Sequence, residues 1–318
     1  RFGFSSHSRV VEIASNDGYL LQYFKERGVP VLGVEPAANV AKVALEQRGI
    51  PSRVEFFGAD TAGKMAAEGV KADLLLGNNV LAHVPDINDF VAGLPILLDP
   101  NGVITMEFPH LLRLIEQNQF DTIYHEHFSY LGFLTVEQVF AKAGLRLFDV
   151  QELPTHGGSI RIFACLNTAM HETGPRVDAM RQLERRHGLD GMDVYARFAE
   201  RVRSTKRDLL DFLIRAKRDK KTIAGYGAAA KGSTLLNYCG VRGDFVDYVV
   251  DKNPYKQNRF LPGVHIPVHG PEKLAETKPD YVLILPWNIR DEVVEQMKEI
   301  RSWGGKFVVA IPTVTVLP

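Results

Sequence analysis

A chain of 318 residues holds about two domains with substantial cores, and its 45% hydrophobic and 24% charged content excludes wholesale disorder, collagen-like repeats and disulfide scaffolds. Lys plus Arg and Asp plus Glu balance at 38 each, so no global positive field favours nucleic acid or an anionic bilayer as partner. Cys165 and Cys239 are too few for a disulfide framework or a thiolate zinc site, which places the expected compartment in the reducing cytoplasm, and no apolar run approaches the roughly 18 residues of a membrane span.

Apolar runs alternate with helix-length amphipathic segments, the pattern of a parallel sheet with crossover helices. The first strand is predicted at 9–14, followed by a helix over 19–27 closed by Gly28. A strand at 31–34, a helix over 38–48 ended by Gly49 and a third strand at 54–57 come next. Then follow a strand at 72–77, a helix over 87–98, a strand at 102–108 and a helix over 135–143. The runs 145–152 and 159–166 read as an antiparallel hairpin at the sheet edge. Residues 171–220 turn helical and basic, with Val194, Phe198, Val202, Leu209 and Phe212 on one stripe. Ten Lys or Arg stand against four acidic residues from 197 to 221, which reads as the solvated face of a connector rather than a polyanion-binding stripe. A second alternation has strands at 222–225, 245–251, 281–285 and 306–311 and helices over 231–238 and 291–303. The expected organisation is an α/β domain at 1–170, a helical connector at 171–220 and a smaller Rossmann-like α/β domain at 221–318.

The first strand runs through Glu12 into a turn of small residues, with Ala14, Asn16 and Gly18 at alternate positions, and then into a helix. Such a turn lets a ligand approach backbone amides and the helix N-terminus. A dinucleotide fold prefers G-x-G-x-x-G, whereas an acid two residues before the turn favours the acid-x-G-x-G-x-G form of S-adenosylmethionine enzymes, with two glycines replaced. Glu35, twenty-three residues after Glu12 and at the end of the second strand, is placed to accept hydrogen bonds from both ribose hydroxyls of either cofactor. Asn78 ends the fourth strand and opens a loop to Asp86 that resembles the corresponding loop of class I methyltransferases. Asp60 stands as a candidate for the adenine amino group or as an ordinary surface aspartate.

Residues 124–130, Tyr124-His125-Glu126-His127-Phe128-Ser129-Tyr130, precede a second cluster from His156 to Arg161. The spacing is not H-E-x-x-H and no thiol is near, which argues against metal. A polar loop closing over the first domain is one reading. Acid–base chemistry is the favoured one: an imidazole titrates near neutral pH, a neighbouring carboxylate orients it, and a tyrosine donates to an oxyanion. These are the parts needed to form an enolate beside a ketone.

The segments VVEIASNDGYLLQYF, GVEPAANVA, NNVLAHVPD, YHEHFSY, AGLRLFDVQELPTHGGSIR and AGYGAAAKGSTLLNY, in this order, resemble the sugar C-methyltransferases of deoxysugar biosynthesis over essentially the whole chain. The resemblance implies a class I methyltransferase domain using S-adenosylmethionine, a related C-terminal domain and a nucleotide-linked 4-keto sugar as substrate. It also implies a zinc-binding N-terminal module, contributing one active-site tyrosine, that this sequence does not include. By the same resemblance His127 is the base that removes the proton beside the ketone, Glu126 and Tyr124 position or polarise the reacting group, and Asn79 and His83 contact the substrate near the ketone. In 224–233, Gly225, Gly227 and Lys231 form a strand–turn–helix that is not a P-loop. Its amides and Lys231 suit a diphosphate, against the alternative of a degenerate fold used for packing. Trp287 either lines a cleft or packs. Two other functions remain open at the level of sequence: a nicotinamide-dependent oxidoreductase and a non-catalytic sugar-nucleotide-binding protein.

Overall fold

The computed structural model describes residues 1–317 and divides the chain into two units, one of 1–112 and 126–191, the other of 113–125 and 192 onward. The first unit is built on β1 (Val10–Ile13), α1 (Leu21–Lys25), β2 (Val31–Val34), α2 (Ala38–Arg48), β3 (Ser52–Arg53), α3 (Ala59–Ala67), β4 (Ala72–Asn78), α4 (Ile87–Leu97) and β5 (Leu98–Pro109). After α5 (Leu111–Glu116), which crosses into the second unit, come α6 (Phe133–Lys142), β6 (Leu145–Leu153), β7 (Ser159–Leu166) and α7 (Pro175–Arg186). The sheet order is β3-β2-β1-β4-β5-β7-β6. β1 to β5 pair in parallel, while β7 runs antiparallel to both β5 and β6, so the expected edge hairpin is present. Strands buried on both faces explain their unbroken apolar runs. Phe90, Leu94, Phe108, Phe133 and Phe140 fill one face, and Val10, Leu21, Leu74, Leu76 and Phe163 the other. Each such side chain contributes roughly 1.5–3 kcal/mol on burial.

The second unit adds α8 (Asp193–Arg218), β8 (Ile223–Tyr226), α9 (Ala230–Cys239), β9 (Tyr248–Val250), β10 (Arg259–Phe260), β11 (Pro267–His269), α10 (Glu272–Thr277), β12 (Tyr281–Ile284), α11 (Arg290–Gln296), β13 (Lys306–Val309) and β14 (Thr315–Leu317). Its sheet runs β10-β11-β9-β8-β12-β13-β14, parallel at the centre and antiparallel at both edges. The α/β class and the second Rossmann-like sheet agree with expectation. Among the described residues no helix is long and apolar enough to cross a membrane.

Three elements differ from their sequence readings. The apolar run 54–57 is not a strand. Only Ser52 and Arg53 pair with β2, and the chain then peels off so that Phe57 packs edge-to-face on Phe90, with ring centroids 5.3 Å apart. Residues 291–303 do not form one helix, because α11 stops at Gln296 and a 3-10 segment, Lys298–Trp303, carries the chain to Gly304. No separate connector stands at 171–220 either. Val177 and Met180 of α7 enter the first core, and Val202, Leu209, Leu213 and Ala216 of α8 enter the second. An apolar stripe on a basic helix finds a core to cover.

Candidate active site

The turn after β1 carries three left-handed residues at alternate positions: Ala14 (φ 57°), Asn16 (φ 55°) and Gly18 (φ 79°). At Gly18 the left-handed φ favours glycine, and a Cβ there would meet Ile50 Cδ1 at 2.8 Å and force that side chain to shift. Ala14 and Asn16 keep the glycine conformation without the glycine, at a cost of roughly 1–2 kcal/mol each. Hydrogen bonds hold them there: Ala14 N–H donates to Val34 O at 2.8 Å, and Asn16 N–H to Glu35 Oε2 at 3.0 Å. Glu35 Oε1 accepts Ala37 N–H at 2.9 Å. Each Glu35 oxygen thus spends one lone pair on the backbone and keeps another for a hydroxyl. Glu12 lies in β1 at 1% exposure, and burial pushes its carboxyl up to about 8. Its Oε2 has no hydrogen-bond partner.

Beside this turn opens a cavity of about 510 Å³. Ala14, Val34, Pro36, Phe57, His83 and Phe90 are among the residues lining it, a mostly apolar wall of the size that takes a small molecule. A left-handed turn, a strand-end carboxylate with spare lone pairs, an orphaned buried carboxyl and an apolar cavity fit the adenosyl and ribose groups of S-adenosylmethionine. Asp60 does not join them. It sits in the first turn of α3, its side chain 83% exposed and paired with Lys64 at 2.6 Å. The peeled segment supplies Glu55, Phe56 and Phe57 to the wall instead, because α3 turns Asp60 outward. These three were missed in sequence, where Val54, Phe56 and Phe57 make the segment read as a strand.

Asn78 ends β4, half-buried and in register with Glu107, and Asn79 (φ 56°) begins the loop. Asn79 N–H donates to Glu107 O at 2.7 Å, while Asn79 Oδ1 is buried without a partner. The next residues form a 3-10 turn, Leu81–His83, and Asp86 caps α4 by accepting the Asn88 and Asp89 amides, each at 3.0 Å. Ala82 O accepts Phe128 N–H at 2.8 Å, which docks the histidine segment on this loop. His83 Nδ1 stands 3.0 Å from Glu126 O, and since a carbonyl only accepts, Nδ1 carries the proton in that bond. The His127 ring lies edge-to-face with His83 at 4.8 Å and with Tyr130 at 5.9 Å. Asn79, His83, Glu126 and His127 are therefore gathered within the first unit, Glu126 through its carbonyl and with its side chain exposed. Tyr124, half-buried, and His125, exposed, fall in the 113–125 segment of the second unit.

Glu107, absent from the sequence reading, accepts Arg161 Nη2 at 2.8 Å and Thr155 Oγ1 at 3.0 Å, which gives the His156–Arg161 motif a partner. Tyr19, at the turn's exit, has its phenol pKa raised by burial and then by Glu12, Glu107 and Asp17.

In the second unit β8 ends at Tyr226 and Gly227 adopts φ 92°, where a Cβ would lie 2.6 Å from Pro286 Cδ. Gly225 sits within β8, its missing side chain giving room to Val249. Ala228 N–H donates to Asp251 Oδ2 at 2.8 Å. Lys231, in the first turn of α9, donates to Asn288 Oδ1 at 3.0 Å and lies 4.7 Å from the Trp287 ring centroid. Burial lowers its pKa, opposed by the charge of Asp121. Trp287 Nε1–H donates to Asp121 Oδ2 at 2.7 Å, so Trp287 packs and also positions. Asp121 is fully buried, its Oδ1 has no partner, and burial pushes it up to about 7 against the Trp287 bond and the Lys231 charge.

Residues 1–150 match a family model described as a methyltransferase domain, and residues 154–312 one described as the C-methyltransferase C-terminal domain. The C-methyltransferase NovU of Streptomyces niveus is 40% identical over 320 residues, covering 100% of this chain and 75% of that protein. A ubiquinone biosynthesis O-methyltransferase of Bartonella bacilliformis is 29% identical over 99 residues, 30% of this chain and 39% of its own length. Among solved structures, a SAM-dependent methyltransferase from Anabaena variabilis has a TM-score of 0.44 at 13% identity, covering 52% of this chain and 79% of that one.

Proposed function

The chain belongs to the S-adenosylmethionine-dependent C-methyltransferases, and from that premise we propose that it methylates a carbon beside the ketone of a nucleotide-linked keto-deoxysugar. Membership in that family sets aside the nicotinamide oxidoreductase and the non-catalytic binding protein. In this reading the Ala14–Gly18 turn, Glu12, Asn78 and Glu35 hold the cofactor. Asn79 and His83 meet the ketone, while Lys231 and the Gly225–Gly227 turn take the diphosphate. Cofactor chemistry supplies an electrophilic methyl carbon on a sulfonium, which leaves as a neutral thioether once the methyl is gone.

The residues must supply the nucleophile. A C–H beside a ketone is a weak acid, so a base has to remove it before or during methyl transfer. His127 takes that proton on an imidazole nitrogen, a group matched to neutral pH. The electron pair moves onto the ketone oxygen, where the Asn79 side-chain N–H donates to the developing charge while the His83 ring packs against His127 beside it, aided by exclusion of water from the apolar cavity. The enolate carbon then forms the new bond to the methyl carbon. Tyr124 and Glu126 position the ring that carries the ketone. Holding the two carbons in line supplies much of the acceleration.

One observation carries the reading: a single cavity whose lining includes both Ala14 of the cofactor turn and His83, the ring against which His127 packs. Methyl transfer measured against a panel of nucleotide-linked keto and 4-hydroxy sugars tests it. Carbon-linked product is expected from keto sugars alone. Transfer to oxygen, or equal turnover of the reduced sugars, would overturn it.

A further inference from the structure

The second unit contains a cavity of its own, about 340 Å³, that the methyl-transfer machinery does not use. Phe120, Ile123, Phe198, Val202, Thr234 and Tyr238 line most of it. Ile123 is 46% and Tyr238 40% exposed, so apolar surface stands open there, within the size range of small-molecule sites. Phe120 and Tyr238 meet edge-to-face at 5.2 Å and give the slot aromatic walls.

Its placement supplies the second argument. Thr234 and Tyr238 follow Lys231 on α9 at i+3 and i+7, one above the other on a single helix face. At about 1.5 Å per residue they stand roughly 4.5 and 10 Å along the axis from that cation. Lys231 spends one N–H on Asn288 in the hydrogen bonds described, and an ammonium has three. Two further cations stand at the slot. Arg203 lines it, paired with Glu200 at 3.2 Å, and Lys206 lies 5.4 Å from the Tyr238 ring centroid. No carboxylate is among the lining residues. A cation followed along one helix by an aromatic slot is the complement of an anion joined to a flat ring.

We propose that this slot receives the nucleobase of the sugar nucleotide, its ring against Tyr238 and Phe120, with the diphosphate toward Lys231. The Thr234 hydroxyl, which donates to Ala230 O at 3.2 Å, keeps acceptor capacity for an N–H on the base edge. Stacking on aromatic side chains is tolerant of base identity and strong enough to be read as affinity. The inference rests on the nucleotide-linked substrate argued above and adds where the base goes.

Calorimetry on the intact chain with thymidine, uridine and adenosine 5′-diphosphates, and with inorganic pyrophosphate, tests it. Wild type should bind at least one nucleoside diphosphate ten times or more tighter than pyrophosphate. Tyr238→Ala, which removes the wall, and Ala199→Trp, which fills the slot from another of its lining residues, should each erase that advantage. Pyrophosphate affinity should stay unchanged in both, which also reports that they fold. Lys231→Ala should weaken both ligand types. Slot variants that keep wild-type nucleotide affinity, while Lys231→Ala loses it, would overturn the slot alone. If every nucleotide binds wild type no better than pyrophosphate, the nucleotide-linked reading itself falls and the slot with it.

Discussion

The two units solve one geometric problem with opposite charge. In each, a central parallel strand runs into a tight turn, and an acid at the end of the neighbouring strand accepts a turn amide: Glu35 from Asn16 at 3.0 Å, Asp251 from Ala228 at 2.8 Å. Each unit also buries a carboxyl with one orphaned oxygen, Glu12 in the first and Asp121 in the second. The helices that follow differ. Toward the first turn stand Glu12, Asp17 and Glu107 around Tyr19, whereas the second turn is followed by Lys231 over an indole. On the function proposed above, the same backbone frame would serve hydroxyls and a sulfonium in one unit and an anion in the other, by a few side chains at the strand ends.

The largest effect expected from this comparison is on stability. Glu12 and Asp121 hold their protons more tightly folded than unfolded, at about 8 and about 7 against ordinary values of 4.5 and 3.8. The folded state therefore binds more protons between those limits, and stability falls as pH rises through 4.5–8 for Glu12 and 3.8–7 for Asp121. The loss is of order 4 kcal/mol for each at full deprotonation. Urea unfolding of Glu12→Gln and Asp121→Asn should match wild type near pH 4 and exceed it at pH 9. A variant whose stability follows the wild-type pH curve throughout would remove that carboxyl from the account.

Next in size is Glu35→Ala, which frees two backbone amides and takes away the ribose acceptor. S-adenosylmethionine affinity should drop about a hundredfold, or roughly 3 kcal/mol, by calorimetry. An unchanged Kd would transfer cofactor binding away from the first turn. Lys231→Ala should cost about tenfold in nucleoside diphosphate affinity and nothing in cofactor affinity; loss of both together would end the division of labour between the turns. Smallest of all, Asp60→Asn should leave cofactor affinity where it was, since its carboxylate is turned to solvent. A measurable loss would return Asp60 to the site.

How much of this was legible in the sequence follows from the range of the interactions. β2, α2 and its left-handed Gly49 were readable because pattern and cap are local. The turn at Ala14–Gly18 was legible as small residues, although not that Ala14 and Asn16 would keep glycine-like φ, because long-range bonds to Val34 and Glu35 impose it. The 54–57 run misled because lining a cavity and filling a strand ask for the same apolar residues. β10, β11, α10 and β14 are too short to leave a periodic signal. Asp121 was invisible for another reason: what marks it is a bond to Trp287, 166 positions away. The His83–His127 contact joins two loops whose meeting no spacing rule announces, and only the resemblance brought them onto one page.

The central claim is that His127 makes the carbon nucleophile. Its most direct measurement is exchange of the substrate's acidic C–H with solvent deuterium, followed by NMR on the keto sugar with the enzyme and S-adenosylhomocysteine present. Wild type and His125→Asn should exchange that proton, while His127→Asn should lose both exchange and methyl transfer and keep wild-type cofactor affinity. Exchange that survives in His127→Asn and disappears in His125→Asn would place the base two residues upstream and contradict the account.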